Sequence, residues 1–185
     1  MLNPFISFLL VLAAAIPVVG SDGSHLDKAA LNGLAEAKDV KTLEQRWKTL
    51  SAPNAVERIV YATRRIVLAP GATSDAIMVS AIPADSLTFD LLYDLCYTNR
   101  EGSSDALQAI AGGAWVNPAV DAVVRSGKGY ERILMLPFVG AHNADVGEVL
   151  PCAVSDIQQR APQAYKRALR QLPEKARALV CPECC

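Results

Sequence analysis

The sequence predicts an all-α fold. Apolar residues recur at spacings of three and four along most of the chain, which puts them on one face of a helix. No stretch sustains the period-two alternation of a half-buried strand. Alanine and leucine dominate, and aromatic residues are only 6% of the total, a balance that favours helix over sheet.

The first element is a leader. Phe5 to Val19 is apolar except for Ser7 and Pro17, and the polar run Ser21-Asp22-Gly23-Ser24 follows it. The apolar run is shorter than the roughly 20 residues of a membrane-spanning helix. Val18 and Gly20 place small side chains where a signal peptidase reads them, so residues 1–20 are expected to be a signal peptide cleaved after Gly20. No Lys or Arg precedes the run, which leaves the α-amine as its only positive charge. The expected mature protein is secreted, extracellular or periplasmic, with no stable membrane span. Its segment 21–38 is expected to be partly disordered or to hold one short helix, and 39–180 to form the helical domain.

Within that domain Asp39 is placed to cap a helix carrying Val40, Leu43, Trp47 and Leu50 on one face, with Glu44 and Lys48 paired on the other. Pro53-Asn54 punctuates. Val56, Ile59, Val60, Thr63 and Val67 form the next stripe, with Arg64 and Arg65 off it, and Pro70-Gly71 ends it. A short helix from about 74 to 81 stops before Pro83. Asp85 or Ser86 then caps a helix with Leu87, Leu91, Leu92, Leu95 and Cys96 inward and Asp90 and Asp94 outward. Ser103-Ser104-Asp105 opens another, with Leu107 and Ile110 inward.

Asn117-Pro118 marks a further start, because a proline at the first helical position gives up no hydrogen bond, and Gly127 suits its C-terminal cap. Tyr130, Ile133, Leu134 and Phe138 form the next stripe, bent or ended by Pro137. The longest runs from Val146 to Ile157 across Pro151, and Pro162 and Pro173 open two terminal helices.

These helices fall into pairs: 40–50 with 54–68, 74–82 with 85–97, 104–114 with 117–126, and 130–140 with 144–160. The arrangement resembles a HEAT-like α-solenoid, which implies helix pairs stacked into an arc with a concave binding face. The pair lengths differ and no residue signature recurs in register, so an irregular helical bundle is the other expected architecture.

Charge is balanced, at 18 Lys+Arg against 19 Asp+Glu, so no global attraction to nucleic acid follows. The C-terminal segment is locally basic: between Ile157 and Val180, Arg160, Lys166, Arg167, Arg170, Lys175 and Arg177 are set against only Glu174. That makes Arg160, Lys166, Arg167 and Arg170 a candidate docking patch for an acidic partner or an anionic surface, unless they are simply the solvated face of a terminal helix.

Cysteines stand at 96, 152, 181, 184 and 185. In an oxidising compartment they are expected to bridge, a terminal cysteine with Cys152 or Cys96, and Cys181 with Cys184 or Cys185. The alternative is a soft-metal or redox site. Cys181 and Cys184 have the spacing that lets two thiolates face one ion, and Cys185 adds a third sulfur suited to copper(I) or zinc.

His25 and His142 lie far apart in sequence, and His142 beside Asn143 reads as a loop histidine at a helix cap. Ser126-Gly127-Lys128-Gly129 lacks the upstream glycine of a phosphate loop and reads as an interhelical turn. With no catalytic set converging locally, the sequence points to an exported, non-enzymatic interaction or scaffold protein with a protein partner and no cofactor. A thiol-based metal-binding or redox protein is the alternative.

Overall fold

A computed structural model describes residues 26–140 and 144–180, without the side chains of 144–148. The described residues form helices joined by short connections: α1 (Lys28–Ala35), α2 (Val40–Thr49), α3 (Ala55–Leu68), α4 (Ala72–Ala81), α5 (Ser86–Tyr93), α6 (Asp105–Ala109), α7 (Val116–Ser126), α8 (Tyr130–Val139), α9 (Ala144–Arg160), α10 (Pro162–Gln171) and α11 (Glu174–Arg177). Two π-helical turns extend them, π1 (Asp94–Thr98) after α5 and π2 (Ile110–Ala114) after α6. No strand occurs among the described residues, and the fold is all-α. The leader and the residue 181–185 tail lie outside the described residues, as do His25 and His142.

Side chains fix the helix starts by satisfying amides that have no partner in the first turn. Asp39 accepts from the Thr42 amide at 2.8 Å, Asp85 from that of Thr88 at 2.8 Å, and Ser104 from that of Leu107 at 3.3 Å. Asn54 and Glu57 form a reciprocal capping box, the Glu57 amide donating to Asn54 Oδ1 at 2.9 Å and the Asn54 amide to Glu57 Oε2 at 2.7 Å. Gly127 ends α7 in the left-handed conformation with φ of 70°.

One hydrophobic core runs through the bundle. Leu31 and Leu34 of α1 enter it, as do Ile59 and Val60 of α3, Met78 of α4, Phe89 and Leu92 of α5, Val120 and Val123 of α7, Ile133 and Leu136 of α8, and Ile157 of α9. Trp115 is fully buried, with Phe89 edge-on to it at 6.2 Å between ring centroids.

The packing follows the expected pairs only in part. α2 lies against α3 and α8 against α9, but α4 packs chiefly on α3 and α7 rather than on α5. α1 reaches across to α6 and to the loop before it. Lys28 Nζ donates to the Asn99 and Glu101 carbonyls at 2.7 and 2.8 Å, and Asn32 Nδ2 to the Gly102 carbonyl at 2.7 Å. In a regular solenoid each repeat touches only its neighbours. Here the first helix is clamped to the middle of the chain, so the arrangement is an irregular helical bundle.

Several local expectations change in the structure. Val67 and Leu87, placed on apolar stripes, are 61% and 59% exposed. Pro118 sits at the third position of α7, which starts at Val116, and Pro173 is the N-cap of α11 rather than its first residue. Glu44 turns from Lys48 towards α3, where it forms an ion pair with Arg65 and accepts a hydrogen bond from Tyr61 Oη at 2.8 Å. Arg64, expected outward, donates from Nε to the Ala37 carbonyl at 2.6 Å.

Candidate functional site

The basic end of the chain carries the cations of the candidate docking patch. α10 begins with Pro162 in its first turn, where a missing amide costs nothing. Its inner face buries Tyr165 and Ala168 against α8 and α9, and Leu172 closes the helix on the same side. With those positions inside, the 3.6-residue period sends Lys166, Arg167 and Arg170 outward, and all three are exposed. α11 buries Ala176 and exposes Lys175 and Arg177, two further cations. None of these five cations forms an ion pair among the described residues, although Glu174 lies between them in sequence.

Arg160 does not belong to this set. Its Nη1 lies 2.7 Å from Asp121 Oδ1 and 2.8 Å from Asp156 Oδ2, and those two hydrogen bonds hold its guanidinium above the ordinary value. Arg160 is therefore engaged in a local network, while Lys166, Arg167 and Arg170 are exposed together on α10, and Lys175 and Arg177 are exposed on α11. An unpaired cationic face of this kind can bind carboxylates or phosphates without rearranging first.

A second feature is an open cleft of about 740 Å³ between the start of α4 and the end of α7, lined in part by Pro70, Ala72, Ala76 and Val79. At its edge Arg125 grips the buried Asp75 carboxylate with two hydrogen bonds, Nη2 to Oδ1 at 2.7 Å and Nε to Oδ2 at 3.1 Å. Asp75 is the first cause of the raised Arg125 pKa, and Asp121 adds a weaker pull at 3.9 Å. The charges are thus matched to each other, and this pair works as a strut between α4 and α7. A third cluster joins α2 to α3, where Trp47 stacks on Tyr61 at 4.2 Å and burial raises the Tyr61 phenol above its ordinary value.

No protein family's pattern, curated protein or solved structure matches this chain.

Cys96, on π1, is a half-buried free thiol facing π2 and so is not a bridge partner here. Cys152 lies on the exposed side of α9. Cys181, Cys184 and Cys185, both as bridge partners and as a copper or zinc site, lie outside the described residues. Among the described residues no group of three or more His, Cys, Asp or Glu side chains is arranged to hold a metal. No single described helix is long and apolar enough to cross a membrane.

Sequence reasoning missed the Asp75–Arg125 strut and the Glu44–Arg65–Tyr61 cluster. Asp75 and Arg125 are 50 residues apart, and neither carries a local signal beyond its charge. The basic row was legible because a run of cations with a 3.6-residue apolar pattern beneath it is a local property.

Proposed function

We propose that this protein is an exported, non-enzymatic helical interaction protein that docks an acidic partner through the outer face of α10 and α11. The observation that carries this reading is the set of exposed cations Lys166, Arg167, Arg170, Lys175 and Arg177, none of which forms an ion pair among the described residues. Surface charges on a stable domain are commonly interspersed with opposite ones. A mainly cationic surface instead raises the local concentration of an anionic partner and speeds encounter. The helix beneath is pinned by Tyr165, Ala168 and Leu172, so the cations stand on a rigid support.

The test uses polyglutamate as the acidic probe. Binding to the mature protein should be saturable and weaken as salt rises, because exposed charges are screened beyond about 10 Å at 0.1 M ionic strength. The variant Arg167→Glu/Arg170→Glu should bind at least about tenfold more weakly while keeping its helical circular dichroism, a loss of about 1.4 kcal/mol. Equal binding by this variant and the parent would remove the face from the reading.

Export belongs to the same proposal. The intact mass of the secreted protein should correspond to a chain starting at Ser21, and a mass that retains Met1 to Gly20 would count against cleavage. We further propose that Cys152 is bridged to one of Cys181, Cys184 and Cys185, since Cys96 is the free thiol among the described cysteines. Non-reducing peptide mapping reads that bridge. Free terminal thiols with stoichiometric copper or zinc would replace it with the metal-site alternative.

A further inference from the structure

The bundle carries a second surface, mainly acidic, that complements the first. From Asp85 to Asp105 the chain holds Asp85, Asp90, Asp94, Glu101 and Asp105 against Arg100 alone. Asp85 is used as the cap of α5. Asp90 and Asp94 are exposed, and neither forms an ion pair among the described residues. Tyr93 stands between them in sequence, 38% exposed, with its ring 4.9 Å from that of Tyr97, and Leu87 is 59% exposed one turn earlier.

The two faces match in chemistry and in spacing. Asp90 and Asp94 are four residues apart on one helix, and Lys166 and Arg170 are four apart on the other. Each pair therefore spans about 6 Å along its axis, so two crossing helices can engage both ion pairs together. Tyr93 offers a ring for the Arg167 guanidinium to lie on, a contact that arginine makes through its planar group. Leu87 on the acidic face and Leu179 on the basic side, 47% exposed, give each face an apolar edge to bury.

Within one chain the faces sit on different parts of the bundle. α10 packs on α8 and α9, and α11 on α8, whereas α5 and π1 pack mainly on α3, α6 and π2. No ion pair between described residues joins them. A contact between two copies would thus join unlike surfaces, giving a ring if the rotation closes and an open chain if it does not.

We infer that the acidic partner of α10–α11 is the α5–π1 face of a second copy of this chain, so that the protein assembles head to tail. This rests on the docking role proposed above for the basic face. Sedimentation velocity of the full mature protein tests it. The weight-average mass should rise with concentration at low salt and fall back to that of the monomer at high salt. The variants Asp90→Lys/Asp94→Lys and Lys166→Glu/Arg170→Glu should each remain folded and lose self-association by at least about tenfold, about 1.4 kcal/mol. An equimolar mixture of the two should associate again, because every contact between unlike variants then pairs opposite charges.

Three results would overturn the inference: a parent protein that stays monomeric at all concentrations, variants that associate as the parent does, or a mixture that stays monomeric. Polyglutamate binding separates the two levels. A monomeric parent that still binds polyglutamate through Arg167 and Arg170 removes self-assembly and leaves the docking face standing, with a different acidic protein as its partner. Loss of both removes both.

Discussion

Asp39 shows how one side chain ties helix geometry to pH. Its carboxyl is held below the ordinary value of 3.8, first by the Thr42 amide and then by the Thr42 hydroxyl. A depressed folded-state pKa contributes stability that is present above the unfolded value and lost as pH falls through the folded one. The acid side of the urea midpoint against pH should therefore be shallower for Asp39→Asn, which keeps a good N-cap without the titration. Parallel curves for variant and parent below pH about 4 would contradict this.

The Asp75–Arg125 strut makes a different residue-level prediction. Arg125→Ala leaves a buried carboxylate without its partner and should cost about 1–3 kcal/mol, whereas Asp75→Ala/Arg125→Ala together should cost less than the two single changes summed. Denaturant unfolding of the three variants reads both. Gly129 is a third case. Its φ is +80°, and a Cβ there would stand 2.6 Å from Val79 Cγ1 and 3.6 Å from Val123 Cγ2. Gly129→Ala combines left-handed strain with a clash against stiff β-branched side chains, and the urea midpoint should report a loss of about 1–3 kcal/mol.

At the scale of elements, most helices were readable because their signals are local. Asp39 caps where it was expected to, Asp85 rather than Ser86 caps α5, Ser104 is the cap within Ser103-Ser104-Asp105, and Pro162 stands in the first turn of α10. The π-turns were not readable. An i→i+5 bond, such as the 2.7 Å one from the Asn99 amide to the Asp94 carbonyl, has no periodic signature in a stretch of five residues. π1 and π2 meet where Gly112 leaves room for Cys96, whose Sγ would lie 3.1 Å from a Cβ at that glycine. Gly112→Ala should therefore be better tolerated in a Cys96→Ala background than in the parent. A double-mutant cycle measures that coupling, and additive effects would show that the approach of π1 to π2 is loose.

At the scale of the whole molecule, one core links α1 to α9, and the amino-terminal helix is bonded to the loop between π1 and α6. A stack of nearest-neighbour repeats can unfold from its ends, whereas a closed bundle with shared core side chains unfolds together. Helical circular dichroism and the fluorescence of buried Trp115 and half-buried Trp47 should thus follow one coincident transition in urea. Separated midpoints would indicate that α1–α3 and the remainder behave as independent stacks.

The sequence by itself determined the all-α class, most helix limits and the cationic outer side of α10, because periodicity, caps and charge runs act over one or two turns. Tertiary structure decided which helices lie side by side, and with that which charges are paired. It moved Arg160 into a network with Asp121 and Asp156, turned Glu44 towards Arg65, and left Lys166, Arg167 and Arg170 without an ion-pair partner among the described residues. Whether a charge is free depends on what residues tens of positions away bring within about 4 Å, and no local pattern records that distance.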